Sequence, residues 1–284
     1  MKPTSVNSIE SKQTVEAESK LKKITTYNWI FKDYLFKKSV IFPVVFGIVF
    51  LFFWEIKVFH MIFNLELYQL PTPITIVQSM IENWLTLMFY SAYTGTEILG
   101  GFILGSLLGW IIAMLASLFP SIGKGGVTVI ASLNAIPIVA LSPIMNNWFG
   151  DGIGSRIAIV TISTMAAMVV NAYKGFQSID GNYLDLMYSY ASRKSQIFML
   201  LRFKHSLPYI FAALRINVSA SIIAALVGEF FISSKGLGFL LSDQIQIGNM
   251  PLAWSCIVIA SLMGILFYNA VEVTERLCIP WKNS

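Results

Sequence analysis

From residue 40 to residue 275, long apolar runs alternate with short polar breaks. The runs predict six membrane-spanning helices, at about 40–62, 89–118, 126–148, 155–175, 211–232 and 253–275. Each is close to the roughly 20 residues a helix needs to cross hydrocarbon. Residues 1–38 break the pattern. They carry Glu10, Glu16, Glu18, Lys20, Lys22 and Lys23 and predict a cytosolic tail, disordered or lying on the membrane surface. Within it, Ile24 to Phe36 mixes Tyr27, Trp29, Ile30, Phe31 and Tyr34 with lysines, which fits a short interfacial helix feeding the first span.

The stretch from 176 to 209 is too charged to span. Burying Asp185, Arg193, Lys194, Arg202 and Lys204 at the membrane centre would cost on the order of ten kcal/mol. It is not structureless either. Tyr183, Leu186, Met187 and Tyr190 follow helical spacing, as do Ile197, Leu200 and Leu201. The pattern predicts two short amphipathic helices meeting near Ala191 to Lys194. Such a pair is either a hairpin resting on the membrane or a docking element for a cytosolic partner, and the residues alone leave both open.

Inside the spans, Gly101, Gly105 and Gly109 recur every fourth residue and predict a flat face for close helix packing. The third span carries Asn134, Pro137, Ser142, Pro143, Asn146 and Asn147. Two prolines remove backbone donors and disturb a helix, and a broken helix at membrane depth is tolerated beside protein or a water-filled cavity. This span is therefore either a pathway wall or a kinked packing helix. Candidate pathway residues are Asn134, Ser142, Asn146, Asn171, Asn217, Ser221 and Glu229. An acid in a span is a functional hypothesis, but Glu97 and Glu229 also suit structural or gating contacts near a membrane surface.

The chain has 284 residues, 56% of them hydrophobic and 12% charged, with a mean hydropathy of +0.68. A soluble domain is about 25% charged. The expected class is an all-α polytopic membrane protein with a tail at 1–38 and a transmembrane domain at 39–284. Of the 20 Lys and Arg residues, only Lys57, Arg156 and Lys235 fall on the outer side if both termini are cytoplasmic, a strong positive-inside bias. No buried lysine or arginine is evident in the spans, so nothing there encodes an anion. The net charge of +5 is too small to argue for nucleic acid. Cys256 and Cys278 read as small apolar fillers, no cleavable signal peptide is visible, and His60 and His205 support no metal site. No phosphate loop is present, so the chain is not expected to hydrolyse ATP or to need a cofactor.

Four stretches carry a resemblance to a known family: "LPTPITIVQSM" (70–80), "NAIPIVALSPIMNNWFG" (134–150), "SLPYIFAALRI" (206–216) and "VGEFFISSKGLGFLL" (227–241). The chain resembles the permease subunits of bacterial binding-protein-dependent ABC importers, in the branch serving nitrate, sulfonates, taurine and vitamin precursors. That family has a cytoplasmic loop patterned Glu-Ala-Ala, three residues, Gly, nine residues, Ile-x-Leu-Pro, whose two short helices fit a cleft on the ATP-hydrolysing subunit. Here Asp185 takes the Glu position, Leu186 and Met187 the alanines, and Ala191 the Gly. Ser192 and Arg193 follow the turn, and Leu201, Phe203 and Lys204 take the Ile, Leu and Pro. A left-handed turn at Ala191 carries a Cβ penalty that Gly avoids.

The resemblance implies a type I importer architecture in a bacterial cell membrane. Its implied partners are two ATP-binding subunits, an extracytoplasmic solute-binding protein received by loops 63–88 and 234–252, and a second copy of the chain. It also implies a small polar, anionic or heterocyclic solute, such as a sulfonate or a vitamin precursor. The competing readings are an ion-driven secondary carrier and a membrane scaffold.

Overall fold

The computed structural model describes residues 38–280, all of whose regular elements are helical. The tail expected at 1–38 lies outside those residues except for Lys38. The chain divides into two compact units at Leu67–Tyr68. In the first, α1 (Lys38–Glu55) is followed by the short α2 (Val58–Phe63). The span expected at 40–62 is thus broken after Glu55. Lys57 stands in the left-handed region (φ 64°) at the break, where a helix of L-residues cannot continue. Phe50 of α1 meets Phe59 of α2 at 5.0 Å between ring centroids.

The second unit contains α3 (Pro73–Glu82), α4 (Trp84–Leu118), α5 (Pro120–Ala131), a 3-10 turn (Ser132–Ala135), α6 (Ile138–Phe149) and α7 (Ile153–Gln177). These are followed by α8 (Gly181–Ser189), α9 (Lys194–Ile232), α10 (Leu237–Gln246) and α11 (Met250–Cys278). Among the described residues, α4, α7, α9 and α11 are long and apolar enough to cross a membrane. The third predicted span is broken, with Gly123–Ala135 and Ile138–Phe149 meeting at 101°. Pro137 starts the second arm. It pushes Ile136 before it into extended backbone (φ −77°, ψ 124°), where the first arm ends. Four long helices, the bent pair and the shorter apolar helix of the first unit account for the six predicted apolar segments.

Three expectations are corrected. The second half of the 176–209 stretch is no separate helix, because it runs unbroken into the fifth span as the 39-residue α9. Lys204 keeps a backbone N–H where the family pattern has proline, so nothing stops the helix there. The loops expected at 63–88 and 234–252 hold α3 and α10. Finally, Arg156, counted as an outer-side residue, is buried inside the bundle at 1% exposure.

Lipid offers no hydrophobic drive for helices to associate, so close packing of small side chains must hold such a bundle together. α7 lies between α4 and α9. A Cβ at Gly101, Gly105 or Gly109 of α4 would overlap the Val160 side chain, the Thr164 hydroxyl or the Met165 carbonyl of α7, as the glycine spacing predicts. Gly228 of α9 admits Ile159 of α7, and Gly175 of α7 admits Ser206 and Tyr209 of α9. Buried Ala213, Ala224 and Ala225 bring the same two helices together. The starts of α4, α7 and α11, the end of α9, and α3 and α10 share one end of the bundle, the α10 end. The opposite end carries α8 and the turn into α9.

Candidate functional site

At the α8 end the chain leaves α7, forms α8, turns, and re-enters as α9. Asp180 caps α8 by accepting from the Asn182 N–H (3.0 Å). The helix ends in a Schellman motif. The Ser192 N–H donates to the Met187 carbonyl (3.1 Å) and the Ala191 N–H to the Tyr188 carbonyl (2.9 Å). Ala191 takes the left-handed residue of that motif, with φ 49°. The left-handed turn weighed at Ala191 is therefore formed despite its Cβ. The Gln196 side chain then accepts from the Arg193 N–H (2.8 Å) and starts α9.

The base of this hairpin is packed: Phe176 meets Phe198 at 5.5 Å, Trp110 meets Phe203 at 6.2 Å, and Ile197 is buried. Its tip is bare. Asp185, Ala191 and Arg193 are exposed, Met187 and Ser192 are half-buried, and Tyr183, Leu186, Tyr188 and Tyr190 stand out as exposed apolar groups. A protein rarely presents such a patch without a surface to cover it. The α9 backbone from Ile197 to Arg202 is a π-turn, a widened geometry often found at functional positions.

The seven pathway candidates are dispersed. Asn134 is exposed on the 3-10 turn. The buried Ser142 and Ser221 donate within their own helices, to Ile138 (3.1 Å) and Val218 (2.8 Å). The Asn171 amide does the same toward Ala167 (2.9 Å). Asn217 joins α9 to α4 by donating to the Ser106 hydroxyl (3.0 Å). The buried Oδ1 atoms of Asn146 and Asn217 accept no hydrogen bond. None of the seven lines the apolar groove of about 240 Å³ between α9, α10 and α11, whose walls include Ile222, Leu226, Leu237 and Cys256.

Glu229 is held by structural contacts. Its Oε1 accepts from the Thr94 hydroxyl (2.6 Å) and its Oε2 from the Gly238 N–H (2.7 Å). Thr94 in turn accepts from the Leu237 N–H (2.8 Å). Gly236 lies directly on the Glu229 carboxylate with φ 100°, leaving no room for a Cβ. Beside it stands Arg156, which sequence reasoning placed in water. Its Nη1 donates to the Gly152 carbonyl (2.6 Å), and its Nη2 to the Ser233 hydroxyl (2.7 Å). Both reach Asp151 Oδ1 at 3.3 Å, and Nε lies 3.7 Å from Glu97 Oε1. Glu97, Arg156 and Glu229 are all essentially inaccessible. The available signal was three charges of both signs in three different apolar runs, a pattern that membrane burial permits only with pairing.

Residues 105–277 match the family described as binding-protein-dependent transport system inner membrane component. The chain belongs to this family. The permease is 31% identical to the formylaminopyrimidine transport permease of Halalkalibacterium halodurans, covering 84% of its own length and 95% of that protein's. It is 23% identical to the nitrate import permease of Synechocystis, covering 87% and 92%. A solved amino acid ABC transporter with histidines has the same fold, with a TM-score of 0.55 at 17% identity over 70% of the permease and 97% of that chain. The permease is a transmembrane subunit of an ABC importer, and the secondary-carrier reading is not favoured.

Proposed function

We propose that this permease works as a pair of copies with two separate ATP-binding subunits and a solute-binding protein, and that it imports a formylaminopyrimidine-like heterocycle. The observation carrying the solute class is the 31% identity that extends over 95% of the formylaminopyrimidine permease. The disposition of the arginines fits a neutral solute. Arg156 is committed to Glu97 and Asp151, and Arg215 to Glu275, so neither is left to receive an anion.

In this reading the α8 end is cytoplasmic, in keeping with the charge bias along the chain. Asp185, Leu186, Met187, Ala191, Ser192 and Arg193 dock on the ATP-binding subunit. The α10 end faces outward and receives the binding protein. Asn134, Ser142, Asn146, Asn171, Asn217 and Ser221 lie on the helices that enclose the path.

The test is ATP-dependent uptake by vesicles holding the permease with its ATP-binding subunit and binding protein. Labelled formylaminopyrimidine should enter and nitrate should not. Nitrate uptake without pyrimidine uptake would move the permease to the anion side of its family. Uptake by the permease alone, driven by an ion gradient, would overturn the ATP-coupled reading.

A further inference from the structure

The charge knot at the α10 end has an arrangement that simple packing does not require. A well-packed apolar group often stabilises a buried site as well as an ion pair does, so stability alone does not account for a buried arginine, and its directed bonds need another reason. Arg156 makes no hydrogen bond to Glu97: its Nε lies 3.7 Å from Glu97 Oε1, an ion pair without a directed bond. The directed bonds of the guanidinium go to the chain entering α7 and to Ser233.

Ser233 is the pivot of the turn from α9 to α10. Its hydroxyl accepts from the Lys235 N–H (3.1 Å), donates to the Lys235 carbonyl (2.5 Å), and accepts from Arg156. Three and five residues later Gly236 and Gly238 press on Glu229, which fixes the first turn of α10. At the far end of α10, Ile245 and the following Ile247 are exposed in the isolated chain.

We propose that Arg156 and Ser233 are positioning residues for the outer face: they fix the 233–236 turn, and with it α10, in the orientation that the solute-binding protein recognises. The proposal rests on the importer reading above. A preformed face binds without first ordering the turn, so loosening it weakens docking more than it slows turnover.

The experiment measures ATP hydrolysis by the complete importer in lipid nanodiscs as the co-purified binding protein is titrated. Ser233→Ala removes the acceptor used by Arg156, and Arg156→Lys keeps the charge beside Glu97 but loses the forked geometry. Each variant should raise the half-saturating concentration of binding protein about fivefold, with a smaller change in maximal rate per folded complex. Ser233→Thr, which restores the hydroxyl, should return it. If Arg156→Lys does not fold, the Ser233 pair decides. Unchanged half-saturation with reduced yield or maximal rate would overturn the proposal and leave a purely structural knot. A wild-type importer that no binding protein stimulates would instead refute the importer reading.

Discussion

Both ends of the bundle turn the chain through a residue of positive φ, and they hold it in opposite ways. Gly236 at the α10 end is buried, presses on a buried carboxylate, and is flanked by N–H groups bonded to Thr94 and Glu229. Ala191 at the α8 end is exposed, is held by two backbone hydrogen bonds, and stands among uncovered aromatic side chains. The first turn is determined by its own molecule. The second is formed but bare among the described residues, and the contact that would explain its surface has to come from beyond them. Membrane proteins that work in complexes can afford such a division: fixed geometry where the chain acts alone, exposed apolar surface where a partner completes it.

The sharpest way to break the comparison is Arg156→Met. It strands Glu97 and the acceptors at Gly152 and Ser233, and should lower stability by about 3–5 kcal/mol, read as a large drop in unfolding temperature of the detergent-solubilised permease. Gly236→Ala should follow. Its backbone region (φ 100°, ψ 165°) alone costs about 1–3 kcal/mol for a residue with a Cβ, and the added methyl meets the Glu229 carboxylate.

At the other end the expected signs differ. Leu186→Ala should leave thermal unfolding unchanged while recovery of the ATP-binding subunit in a pull-down falls about tenfold, because the residue is exposed in the isolated chain. Ala191→Gly should stabilise, by about 1 kcal/mol, since it relieves a left-handed alanine without touching a packed contact. A destabilising Ala191→Gly would mean that the turn is not left-handed in the membrane, and the likeness between the two turns would fall.

Much of this architecture is legible in the residues because lipid imposes strong rules. Runs of apolar residues mark the spans, and the Gly101-Gly105-Gly109 face and the Pro137 break each correspond to a visible contact or bend. What hydropathy hides is amphipathic or charged structure at the ends. α3 begins with Pro73 just after Thr72, and α10 spaces Leu237, Leu240 and Leu241 as a helix does, yet both are too short to register as spans. Arg156 was misplaced because a basic residue near a span boundary usually sits in water. Partners from distant parts of the chain, Glu97 on α4 and Ser233 after α9, together with Asp151 and Gly152 just before α7, explain why this one does not. A turn near Ala191 was legible from the two runs of helical spacing that meet there, whereas alanine's own preference argues against the left-handed conformation it adopts.

The length of α9 has a mechanical consequence. Its 39 residues make a rod of about 58 Å, close to twice the roughly 30 Å of bilayer hydrocarbon. One tip, Lys194, follows directly on the bare turn, and Glu229 lies within a turn of the other. A rigid rod of that length is a lever: a tilt of about 10° applied at one tip sweeps the other through about 10 Å. The compliant section is the π-turn at Ile197–Arg202 with Pro208 beyond it, both near the bare tip. A push there divides between bending that joint and rotating the rod, and the stiffness of about one and a half helical turns sets how much of the stroke arrives at the far side.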